Sequence, residues 1–114
     1  MRSDNRRSLA SNPIPVLLEQ IDELLTASPS AEPATLARLE RTLTDGYARA
    51  LALEAEHWRL QQQIRRMTAA ETASPVELAA AVRQLNQQED EIGTLRQELG
   101  RLQLRHSSAV RALS

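Results

Sequence analysis

The sequence predicts an all-α fold, a long antiparallel two-helix coiled-coil hairpin with a short N-terminal amphipathic helix. Three observations carry this expectation. Aromatic residues make up 2% of the 114, with no phenylalanine and no cysteine. Leucine and alanine dominate the apolar set instead, whereas β-sandwiches and α/β enzymes draw on aromatic and β-branched side chains. Two long stretches then repeat their apolar residues at alternating spacings of three and four, the mark of a heptad seam. Finally, the two seams pair across a short turn with one constant register. A chain of this length supports at most one compact domain.

Residues 1–13, MRSDNRRSLASNP, are polar and locally basic through Arg2, Arg6 and Arg7, and they read as a disordered basic arm. They lack the unbroken apolar stretch of a signal peptide, and no run approaches membrane-spanning length. The expected location is therefore cytoplasmic.

Over residues 14–27, Ile14, Leu17, Leu18, Ile21, Leu24 and Leu25 fall at helical spacing and predict a short amphipathic helix, with Pro15 tolerable in its first turn. Residues 28–33 hold two prolines and two serines and predict a linker whose second proline opens the next helix. The remainder, residues 34–113, is expected to form the hairpin, from helices over 34–71 and 75–112. The first seam runs Leu36, Leu39, Leu43, Gly46, Ala50, Leu53, His57, Leu60, Ile64, Met67. Its phase is unbroken across Asp45-Gly46, which favours a helix there over a turn. Ser74-Pro75-Val76-Glu77 supplies a serine N-cap, a proline at the first helical position and a glutamate at the capping-box position. The second seam is Leu78, Ala81, Leu85, Gln88, Ile92, Leu95, Leu99, Leu102, His106, Ala109, Leu113.

Paired across a turn near Thr72, the seams form ten layers whose residue numbers each sum to 145, such as Leu60 with Leu85. Large faces small where Gly46 meets Leu99, Ala50 meets Leu95 and Ile64 meets Ala81, so the seam fills without phenylalanine. At 1.5 Å per residue the hairpin is on the order of 50 Å long.

Apolar residues left off the seam define a second face. Tyr47, Leu51, Trp58, Val82 and Val110 occupy heptad positions e and b, and the e positions of an antiparallel pair flank the same side. The last helix adds Ala79, Asn86, Gly93, Gly100 and Ser107 at intervals of seven. A glycine in an exposed helix interior costs about 1 kcal/mol relative to alanine, so Gly93 and Gly100 suggest close approach of another helix. The N-terminal helix is the expected occupant, long enough at about 20 Å to cover Tyr47 and approach Leu51. Trp58 lies beyond its reach. The partner interface is therefore expected at Tyr47, Leu51, Trp58, Val82, Gly93 and Gly100, with a protein partner or a homodimer covering Trp58.

His57 and Gln88 form a polar core layer, expected to hydrogen-bond each other and fix register. Around them stands an acidic belt of Glu54, Glu56, Glu89, Asp90 and Glu91. Across the seam it places Glu54 against Glu89 and Glu56 against Glu91, a self-repelling arrangement suited to docking a basic partner segment. His106, opposite Leu39, reads as a half-exposed seam residue with no acidic cluster nearby.

No enzyme is expected. The chain has no lysine, no cysteine and no Gly-rich phosphate loop, which excludes Schiff-base, thiol and Walker-type chemistry. No cofactor is implied. A net charge of −1 gives no general attraction to nucleic acid or anionic membranes, and Arg59, Arg65 and Arg66 make too small a patch for nucleic acid.

Three resemblances sharpen these expectations. Residues 39–64, LERTLTDGYARALALEAEHWRLQQQI, resemble the small lysine-free, Ala/Arg/Leu-rich helical proteins of actinobacteria. The two long helices are loosely similar to the RsiG-type anti-sigma factors, helical hairpins that bind cyclic di-GMP together with a sigma factor. Their ligand motif runs Glu, Ser, Arg, Gln, Asp. Arg83, Gln87 and Glu91 match its last three places with glutamate for aspartate, while Val76 and Ala80 depart from the first two. That resemblance implies a transcription regulator or sigma factor as partner. Separately, Glu54-x-x-His57 has the spacing used by ferritin-like dimetal carboxylate proteins. It implies an alternative in which Glu54, His57 and Glu89 hold metal at a homodimer interface.

Overall fold

The computed structural model describes residues 14–27, 32–71 and 73–113. The expected basic arm, residues 1–13, and most of the linker, residues 28–31, lie outside the described residues. The rest is all-helical, comprising α1 (Ile14–Thr26), α2 (Pro33–Ala70) and α3 (Pro75–Leu113), with no strand among the described residues.

Local chemistry sets the helix ends. Pro33 occupies the first turn of α2, and the Leu36 N–H donates to the Glu32 carbonyl at 2.9 Å. The helix runs unbroken through Asp45-Gly46. It stops at Glu71, whose φ of 52° is left-handed and whose N–H donates to the Thr68 carbonyl at 3.4 Å, a helix-closing geometry usually given to glycine. At the start of α3 the Ser74 hydroxyl accepts from the Glu77 N–H at 3.1 Å, satisfying one of the orphan donors of a helix N-terminus.

Contacts between α2 and α3 fall along one helix as they rise along the other. Glu40 meets His106, Gly46 lies under Leu99 and His57 meets Glu89. The core gathers Leu39, Leu43, Ala50 and Leu53 of α2 with Leu95, Leu99 and Leu102 of α3, and Ile14, Leu17, Ile21 and Leu24 of α1. Those three α3 leucines are 0% exposed. Nearer the turn, where no third helix packs among the described residues, Ile64, Met67, Leu78 and Leu85 are only half-buried. The radius of gyration is 18.4 Å, against about 13 Å for a compact chain of this length. An elongated pair of helices with one thickened end accounts for the difference.

The position of α1 departs from expectation. It does not cover the face of Leu51, Gly93 and Gly100. Instead it packs chiefly on α3 and secondarily on α2, along the opposite, g-position flank, where Thr42, Arg49, Glu98 and Arg105 are half-buried. On this flank α1 meets hydrogen-bond partners that hydrophobic pattern does not report. Arg105 donates to the carbonyls of Leu25 and Ala27, groups that a helix C-terminus leaves unsatisfied and that favour a cation. Arg38 adds an exposed pair with Glu23 at 3.5 Å. On the other flank the corresponding arginine, Arg96, is engaged by Glu54.

Candidate functional site

Because α1 takes the g flank, the e and b face of α2 and α3 stays open. Trp58 is 60% exposed, Leu51 64% and Val82 40%. A Cβ built on Gly93 or Gly100 meets nothing within 4 Å, so none of the described residues uses the space these glycines leave. Tyr47 is the exception, half-buried and packed on the core. Leu51, which α1 was expected to approach, is uncovered.

The acidic belt is less self-repelling than expected. Glu54 does not face Glu89 but engages Arg96 across the helices, with both side chains more than two-fifths exposed. Glu89 turns to His57, its Oε1 lying 3.1 Å from Nε2. Gln87 donates to Glu91 at 3.4 Å. The expectation failed because arginine and glutamate side chains reach diagonally across layers, whereas same-layer pairing considers only direct opposites. Glu56 and Asp90 are exposed and have no ion-pair partner among the described residues.

The polar layer also differs. His57 bonds Glu89 rather than Gln88, and the Gln88 Oε1 is buried without a hydrogen-bond partner. The imidazole turns outward to a carboxylate because a charged acceptor makes a stronger hydrogen bond than an amide. His106 does find an acid, with Glu40 Oε1 3.2 Å from its Nε2.

Among the described residues no group of three or more His, Asp or Glu side chains could hold a metal ion. Within the chain, Glu54 is turned to arginine while His57 and Glu89 are turned to each other. Of the residues placed by the RsiG-type resemblance, Arg83 is exposed and Gln87 is bonded to Glu91.

Sequence reasoning missed Arg105, Arg96 and Glu40. The signal for Arg105 was its g position beside the seam, on the flank opposite Trp58 and Leu51. No described helix is long and apolar enough to cross a membrane. Compared with protein families, characterised proteins and solved structures, the chain has no significant match.

Proposed function

We propose that the chain is a non-enzymatic interaction module in which α2 and α3 form an antiparallel coiled-coil hairpin that presents its e and b face to a protein partner. α1 acts as a brace on the far flank, and the module works in the cytoplasm as a regulatory or scaffolding element. The observation that carries the reading is the exposure of Trp58 together with Leu51 and Val82 on one side of the long helices. Trp is enriched at the buried centres of interfaces, and clustered exposed apolar side chains mark association sites more often than isolated ones do. The hairpin register is supported by Gly46 beneath Leu99 and by the pairing of Glu40 with His106 and His57 with Glu89. Of the belt, Glu54 and Glu89 lie on this face and favour a docking element that brings arginine side chains opposite them.

The test is photo-crosslinking from position 58. A benzophenone amino acid replacing Trp58 in the intact chain, irradiated in the producing cell, should yield a covalent protein adduct, with the same probe at exposed Thr94 as the control. Absence of any adduct above that control contradicts the reading.

A further inference from the structure

We infer that the partner of this face is a second copy of the same chain, packed antiparallel so that two hairpins close into a four-helix bundle around Leu51 and Gly93. The inference rests on the docking reading above and names its occupant.

Along α2 the open face is itself a three-four series, Thr44, Tyr47, Leu51, Glu54, Trp58, Gln61, Arg65, preceded by Glu40. It has the spacing, though not the uniformly apolar content, of a second seam, with b residues in one role and e residues in the other. In an antiparallel pair of identical helices, each b residue meets an e residue of the second copy, and all such pairs share one sum. Three sums are geometrically close. The middle one, 105, pairs Trp58 with Tyr47, Arg65 with Glu40, Leu51 with Glu54 and Thr44 with Gln61 of the second copy. It stacks aromatic on aromatic and sets a cation against an anion. Shifting by one heptad either way sets Trp58 against Glu40 or Glu54, so charge and burial select the middle register.

The side chains are available for it. Arg65 is exposed and has no ion-pair partner among the described residues. Glu40 keeps a side-chain exposure of 63% despite its contact with His106. Glu54, which would meet Leu51, already has its charge offset by Arg96.

The same two-fold axis suits α3. It crosses α2 between Glu54 and Leu51, a level that the hairpin register places beside Gly93. Ala79, Asn86, Gly93, Gly100 and Ser107 then run as a column of small residues on both sides of the axis, and the absence of side chains at the two glycines admits close approach of the second α3. Glu89 and Arg96, one on each side of the axis, come opposite each other's counterpart. The brace α1, on the g flank, does not obstruct the closure.

Sedimentation equilibrium of the purified full chain should give a dimer. Arg65→Glu and Glu40→Arg should each weaken association about tenfold or more, since symmetry repeats every pair. Combining the two substitutions should restore association. The chain has no cysteine, so register can be read directly. An oxidised mixture of Thr44→Cys and Gln61→Cys chains should give the mixed disulfide in excess over either homodimer. A monomeric wild type, a single reversal without effect, a double variant that stays dissociated, or homodimeric crosslinks in excess would each overturn the inference. If any of these occurs while position 58 still crosslinks a different protein, the docking face stands and only its occupant is refuted.

Discussion

Gly46 lies beneath Leu99 so closely that a Cβ on residue 46 would stand 3.3 Å from the leucine Cγ and nearer still to one methyl. Leu99 is fully buried, so its side chain has little room to withdraw. Gly46→Ala should therefore cost about 1–3 kcal/mol through overpacking, although alanine is the better helix former by about 1 kcal/mol. Gly100→Ala should have the opposite sign. Its added methyl meets open space among the described residues, so the monomer should gain about 0.5–1 kcal/mol while self-association weakens. Denaturant unfolding at low protein concentration, alongside a dilution series, reads both effects.

Arg105→Ala should release α1 without unfolding the two long helices. The arginine holds the carbonyls of Leu25, in the last turn of α1, and of Ala27, just beyond it, and hydrogen bonds from a charged group are worth about 1.5–3 kcal/mol. These are partly exposed, so a loss of about 1–2 kcal/mol is expected. Hydrogen exchange should show faster exchange across Ile14–Thr26 and unchanged protection near Leu60. Uniform loss of protection would mean that α1 is integral to one cooperative unit.

Gln88→Leu separates two accounts of the polar layer. If His57 relied on Gln88, the substitution would destabilise the fold. With His57 bonded to Glu89 and the Gln88 carbonyl oxygen buried without a partner, removing the amide should stabilise by about 1 kcal/mol, the cost of leaving such a group unsatisfied being about 1–3 kcal/mol. A melting temperature raised by a few degrees is the expected result. A lowered one would restore the histidine–glutamine pairing.

The helical class and the layer contact between Gly46 and Leu99 were legible because period and residue size determine them. The docking flank of α1 was not legible. The stripe Ile14, Leu17, Ile21 and Leu24 requires some apolar surface, and both flanks of a seam offer one. On the flank α1 takes, its C-terminal end meets Arg105, a residue that hydrophobic periodicity treats as background. The belt failed for a related reason. Opposition within a layer is a backbone property, whereas Glu54 finds Arg96 and Glu89 finds His57 through side-chain reach. Trp58 stood out as an aromatic left over once the seam was filled, whereas Leu51 is exposed because α1, expected to approach it, docks on the other flank.

If a second copy buries the face around Trp58, mass and tryptophan environment must change together. Sedimentation equilibrium over a range of concentrations, with the emission of this single tryptophan followed on the same samples, tests this most directly. The chain should convert to a species of twice its mass, with Trp58 emission shifting to shorter wavelength and becoming shielded from acrylamide in step with the mass. A chain that remains monomeric at every concentration, with Trp58 freely quenched throughout, would contradict it.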